Sequence, residues 1–367
     1  MINSERVKQA REMRGLTQTE LATRVGTTQA AIASIEGNRF QPSDELIEAI
    51  AIQTGFPPSF FRQDEMSDFP LGSLLFRARA AMSARERAMV HRYGEVMFEL
   101  AERMAARVRG IPLRLPRLAE DPVTAAQATR SSMGLAPNVP INNLIRSVEK
   151  CGVLVLMLPN PMEKGDAFSL WAGKNRQRPV IVVSGHAPSD RLRFSVAHEL
   201  GHLVMHEAPS GKILDLEQEA HQFAAELLMP EAAMREEITP PVTLTSMAEL
   251  KPRWKVAIQA LIRRSKDLGI LSDRQYRYLF EQVASRGWRT REPINLDVAM
   301  ERPRAVRQMA ELLYGQPINY ERLAADVHLS VPLVQQIIEV HEAQKEQPQL
   351  RDDSTQDDKV LKFVNKR

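Results

Sequence analysis

Cysteine is almost missing: Cys151 is the only one in 367 residues, so no internal disulfide can form. Long apolar runs are missing as well, and nothing approaches the ~18 residues a membrane-spanning helix needs. The opening MINSERVKQAREMRG is polar and charged, without the apolar core of a secretion signal, so the cytoplasm is the expected compartment and no membrane is an expected partner. Net charge is small: 49 Lys and Arg against 46 Asp and Glu leave +3. Composition alone therefore makes no case for a polyanionic ligand, and any such case must come from a motif. What remains, 43% apolar and 26% charged residues, is ordinary globular composition and excludes wholesale disorder. The length suits two or three domains.

No solenoid-type repeat is evident, but the character of the chain changes several times. Residues 4–61 read as short helices punctuated by Gly and Pro. Ser83 and Glu86 have capping-box spacing. Met89, Tyr93, Met97, Leu100, Met104 and Val108 then recur at three and four residues, predicting a long amphipathic helix. Its arginine-rich side (Arg85, Arg87, Arg92, Arg103, Arg107) reads as a solvated face. Prolines at 112, 116, 122, 137 and 140 break the chain, placing a boundary near 110. VLVLMLP, AFSLW and RPVIVVS, within 153–183, have the composition of short strands. Helical periodicity returns at 189–206 and 214–229 and dominates from 245 onward, with SDRQ at 272–275 as a further capping box. The polar end is expected to be a loose tail.

In LTQTELATRVGTTQAAIASIEGN, Leu16, Leu21, Ala22 and Val25 form one apolar face, Gly26 breaks the helix, and Ala31, Ile32 and Ile35 form a second face. Two short helices joined by a tight glycine turn make a helix-turn-helix, whose second helix fits the major groove. Thr27, Thr28, Gln29 and Ser34 lie on or before that helix, Gln18 opens the preceding one, and Arg39 follows; these are the candidate DNA contacts. Residues 1–43 hold six basic and four acidic side chains, +2, a modest charge for a DNA-binding unit. Two copies on paired half-sites, a homodimer, are therefore expected. The segment resembles the Xre family of helix-turn-helix domains, which implies double-stranded operator DNA as a partner. A helical bundle that binds protein is the competing reading.

RLRFSVAHELGHLVMHE contains His198, Glu199 and His202 in the H-E-x-x-H pattern. On a helix the two histidines share a face one turn apart and can reach one ion, with Glu199 beside them to polarise a water. His206 continues the series but is too far along the axis to join the same ion, so it reads as a packing or supporting residue. Residues 205 and 208 are Met and Ala, which excludes the metzincin pattern. A third ligand comes from LEQEAHQFAAELLMP, where Glu217 and His221 share a face while Glu219 points about 200° away. Spacing leaves Glu217 and His221 both open.

FSVAHELGHLVMH with EQEAHQFAAELLMP resembles the ImmA/IrrE family of zinc metallopeptidases, and WKVAIQALIRRSKDLGI and GWRTREP resemble its C-terminal extension. The resemblance implies a gluzincin-like zinc (Zn2+) endopeptidase with His198, His202 and Glu217 as ligands and Glu199 as general base. His221 replaces the Asn or Asp usual four residues after the ligand glutamate, and is an alternative ligand or a supporting residue. The implied substrate is a repressor or regulator protein. The alternative is a non-proteolytic transcriptional regulator whose metallopeptidase-like domain senses a metal, ligand or partner.

The expected fold is mainly α with an α+β centre. It has a five-helix helix-turn-helix bundle (1–65), a helical linker (66–110), and a zincin-like domain with a small sheet and the H-E-x-x-H helix (111–238). A C-terminal helical domain (239–342) and a polar tail (343–367) follow. The protein would be cytoplasmic, and nucleoid-associated when bound to DNA.

Overall fold

A computed structural model of the chain describes residues 1–64, 68–72, 82–160, 166–206, 212–293 and 296–341, and the backbone of 364–365. Parts of the expected linker (66–67 and 73–81) and nearly all of the expected tail lie outside the described residues. Val364–Asn365 pairs antiparallel with Val108–Arg109.

Four N-terminal helices, α1 (Ser4–Met13), α2 (Gln18–Arg24), α3 (Gln29–Glu36) and α4 (Asp44–Thr54), each start at a capping side chain: Asn3, Thr17, Thr28 and Ser43. Each cap accepts a backbone N–H that the first helical turn leaves unpaired. The expected fifth helix is a 3-10 turn, Pro58–Arg62. Val7, Ala10, Leu21, Ile32, Ile35, Ile47 and Ile50 are buried and close this bundle.

Ser83 accepts from the Glu86 N–H and starts α5 (Ala84–Ala105). Expected as part of a linker, α5 is instead an internal strut, because Val90, Val96, Met97, Phe98, Leu100 and Met104 are all buried in one core with the N-terminal helices. The arginine stripe is correspondingly not a free solvated face. Arg92 pairs with Glu12 of α1 at 2.8 Å, Arg85 with Glu20 of α2 at 3.3 Å and Arg107 with Asp326 at 2.9 Å, while Arg103 donates to Gln63.

After α6 (Pro122–Ser132) and α7 (Leu144–Lys150) comes a three-stranded sheet of β1 (Leu154–Leu158), β2 (Ala167–Ala172) and β3 (Arg178–Ser184). Strand β3 is central, parallel to β1 and antiparallel to β2. Alternate residues of a strand face opposite sides. Leu156, Leu158, Phe168, Leu170, Val180 and Val182 pack with α5, and Val155, Met157, Trp171, Ile181 and Val183 pack with the helices beyond. Covered on both faces, the strands read as continuous apolar runs.

Those helices are α8 (Ser189–Met205), α9 (Ile213–Leu228), α10 (Glu231–Glu237), α11 (Leu244–Trp254), α12 (Ile258–Asp267) and α13 (Asp273–Ser285), the last opened by the Ser272–Gln275 capping box. The chain then crosses back. Helices α14 (Ala305–Tyr314), α15 (Tyr320–Val327) and α16 (Val331–Glu339) bury Val306, Met309, Leu323, Val334 and Ile337 in the core of α1–α5. The stretch expected as one C-terminal helical domain is thus divided between the two cores, α11–α13 on one and α14–α16 on the other. Among the described residues no helix is long and apolar enough to cross a membrane.

Candidate metal centre and DNA-reading face

The centre is built on α8, where Val196, Ala197, Leu200, Leu203 and Val204 are at most 2% exposed. Gly201 lets α9 approach it closely: a Cβ there would stand 3.0 Å from Phe223 Cδ1 and 3.3 Å from Ala220 Cα. Glycine inside a helix costs ~1 kcal/mol relative to alanine. At this position it permits the contact that brings Glu217 over the histidine pair.

His198 Nε2 lies 3.2 Å from His202 Nε2 and 3.2 Å from Glu217 Oε2, and His202 Nε2 lies 3.3 Å from Glu217 Oε1. Ligands of a tetrahedral zinc at bond lengths of ~2.0–2.1 Å are separated by about 3.3 Å. The spacing and the N, N, O donor set therefore fit a zinc ion. Among the described residues, these three are the group whose donor atoms converge. Burial pushes the Glu217 carboxyl upward, but hydrogen bonds from His198 and His202 outweigh it and hold the group well below the usual carboxylate range. The carboxylate is thus anionic, as a ligand must be.

Glu199 is fully buried, and its Oε2 accepts from Ser169 Oγ of β2 at 2.8 Å. On the other side of His202, Nδ1 is 3.0 Å from His206 Nδ1, and His206 Nε2 is 2.9 Å from Glu219 Oε2. Glu219, pointing away from Glu217, thus supports the pair from behind through His206. His221 stands apart from the converging group: its ring packs on Phe194 with centroids 4.8 Å apart and is 6.0 Å from the His198 ring. Burial, followed by His198 and Arg263, lowers its basicity.

The centre opens into a cleft of about 1040 Å3, lined by His198, Glu217, His221, Arg191, Arg263 and Trp288 among others. That is large enough for several residues of an extended chain. Beside it, Asp166 holds Arg191 at 2.6 Å.

At the N-terminal unit, Gln29 Nε2 donates to Gln18 Oε1 at 2.8 Å, and Gln18 Nε2 donates to Glu36 at 2.8 Å. The starts of α2 and α3 are thereby tied together. Thr28, Gln29 and Arg39 are exposed, whereas Gln18, Thr27 and Ser34 are half-buried. Thr28 caps α3, and Ser34 O accepts the Arg39 N–H at 2.8 Å. Gln18, Thr27, Thr28 and Gln29 thus gather at the start of α3, whereas Ser34 lies in its last turn and Arg39 beyond its end.

Sequence reasoning passed over Ser169 and Glu219. A lone polar residue in the apolar run AFSLWA was the available signal for Ser169. Glu219 had only its helical phase, which excluded it as a ligand without indicating a partner. Nothing in the sequence pointed to the buried pair of Arg193 with Glu301, 108 residues apart.

Comparison with known families assigns both regions. Residues 148–266 match the M78 peptidase family model described as the IrrE N-terminal-like domain, and residues 7–61 match a helix-turn-helix model. The chain is a fusion of an Xre-like helix-turn-helix domain with an IrrE/ImmA-like domain. No curated protein matches it.

Proposed function

We propose that this protein is a DNA-binding transcriptional regulator and a zinc-dependent endopeptidase that cleaves a repressor protein. The observation that carries the reading is the convergence of His198, His202 and Glu217 at tetrahedral-edge spacing beside a buried Glu199. His198, His202 and Glu217 hold the zinc, which when bound supplies Lewis-acid polarisation of the scissile carbonyl. Glu199 takes the proton of the attacking water and returns it to the leaving amine. Ser169 orients the Glu199 carboxylate through Oε2. The neighbouring cleft accepts the substrate in extended form.

DNA is held along α3 and the start of α2, where Gln18, Thr27, Thr28, Gln29, Ser34 and Arg39 contact phosphates and base edges. Two copies read paired half-sites.

The test pairs metal content with cleavage of a co-encoded repressor. Purified protein should hold about one zinc, lost in His198→Ala and His202→Ala. Glu199→Gln should keep the metal and the fold yet lose cleavage by at least ~100-fold. Full zinc binding with no cleavage of any repressor by the parent protein selects the sensory reading instead.

A further inference from the structure

We propose that residues 305–339 are a second helix-turn-helix unit, a counterpart of residues 4–36, whose reading face is docked onto this chain's own sheet and central helix instead of DNA. The correspondence is position by position. Both units begin with a ten-residue helix, α1 and α14. The next two helices, α2 and α3, recur as α15 and α16 at a constant offset: Gln18 becomes Tyr320 and Gln29 becomes Val331. Thr17 accepts from the Glu20 N–H, and Asn319 accepts from the Arg322 N–H. Leu21, Ala22 and Val25 recur unchanged as Leu323, Ala324 and Val327.

The turn is the most demanding part, because it needs a left-handed residue between the helices. Gly26 has φ +71° and His328, at the same place, has φ +55°. The bond that closes the turn recurs as well, from Thr27 N to Ala22 O at 2.9 Å and from Leu329 N to Ala324 O at 3.1 Å. Thr28 and Ser330 are the N-caps that follow, and Ile32 and Ile35 are matched by the buried Val334 and Ile337. A non-glycine residue in the left-handed region hides this turn from a sequence reading that looks for glycine.

Of the six candidate DNA positions of the first unit, four have changed chemistry in the second: Gln18, Thr27, Gln29 and Arg39 correspond to Tyr320, Leu329, Val331 and His341, while Thr28 and Ser34 stay polar as Ser330 and Gln336. Leu329 is 6% exposed and His341 0%, so both are withdrawn from any external partner. The unit holds two basic residues, Arg307 and Arg322, against four acidic ones, Glu311, Glu321, Asp326 and Glu339, a net −2 where residues 4–36 carry +1. DNA would be repelled.

What the face holds is visible. His341 Nε2 accepts the Met157 N–H at 3.2 Å on the outer edge of β1, covering a strand edge that would otherwise be open to pairing. Gln336, the counterpart of Ser34, accepts from Tyr93 OH of α5 at 3.1 Å; away from that face, Arg107 of α5 donates to Tyr314 and Asp326. The second unit thus ties the edge of the peptidase-like sheet to the helix that carries the DNA-binding unit.

Two measurements on the full-length protein test this. Hydrogen exchange at the Met157 amide should accelerate at least tenfold in His341→Ala and in Leu329→Ala. It should stay near the parent rate in His341→Gln, whose amide can still accept the bond. Binding to a random-sequence duplex at low salt should change less than twofold in Gln336→Ala and in the Glu321→Lys, Glu339→Lys double variant, but fall severalfold in Gln29→Ala, Arg39→Ala. Unchanged Met157 exchange in both His341→Ala and Leu329→Ala overturns the docking. A tenfold gain from the added lysines, or a loss with Gln336→Ala, overturns the claim that this face has left DNA.

Discussion

Replacing Glu219 by alanine probes how a residue that touches no metal sets the geometry of one. Its carboxylate accepts from His206 Nε2 at 2.9 Å, so that nitrogen carries the proton and the neutral ring leaves Nδ1 as an acceptor. His206 Nδ1 lies 3.0 Å from His202 Nδ1, so with a metal taking the lone pair of His202 Nε2 the ring carries its proton on Nδ1 and donates it to His206. Loss of a supporting partner of this kind costs roughly 10–100-fold in metal affinity, or about 1.4–2.8 kcal/mol. The Glu219 side chain is 48% exposed and water can replace it in part, whereas the His206 side chain is only 6% exposed. Glu219→Ala should therefore weaken zinc binding about tenfold and His206→Ala closer to a hundredfold. The double variant should match His206→Ala alone, because Glu219 acts only through that ring. Zinc affinity is measured by competition with a chromophoric chelator, with melting of the metal-free protein as the control for packing. Undiminished affinity in both single variants, or losses that add in the double variant, would refute the relay.

Gly201→Ala should cost about 1–3 kcal/mol by forcing α8 and α9 apart, and should weaken zinc binding in parallel. Denaturant unfolding and zinc titration check this, and a stabilised variant with normal zinc affinity contradicts the close-approach argument. Arg193 and Glu301 form a buried pair with side chains 1% and 7% exposed. Glu301→Ala strands the cation and should cost about 3–5 kcal/mol, against ~1 kcal/mol for a surface pair; urea unfolding distinguishes the two. Burial pulls the His341 imidazole down to about 4, opposed by the Ile337 carbonyl and helped by Arg302. The unfolded imidazole titrates near ~6.5, so the unfolded state binds the extra proton and stability falls as pH drops from about 6.5 to 4. His341→Gln should remove a pH-dependent loss of about 3 kcal/mol over that window, and stability curves of equal slope for parent and variant would exclude the effect.

Much of the candidate site was legible in the sequence because its determinants are local. His198 and His202 share a helix face by spacing alone, and the turn at Gly26 needs only a break between two apolar faces. The choice between Glu217 and His221 was not legible. Both lie on the same face of α9, and what separates them is where α9 crosses α8, fixed by Gly201 against Phe223 and Ala220. The roles of Ser169 and Glu219 were hidden for the same reason, since each acts on a residue of another element.

The sequence by itself determined the main helical stretches, the caps at Ser83 and Ser272, the three apolar strands and the identity of the two chemical motifs, since each depends on residues within a turn or two of one another. Only the tertiary structure decided that α5 is an internal strut, that the last three helices return to the N-terminal core, and that they repeat its helix-turn-helix with His328 in place of glycine. The physical reason is that periodicity fixes which face of an element is apolar but not which neighbour covers it. That pairing is settled by side-chain contacts between segments as distant as Tyr93 and Gln336, 243 residues apart.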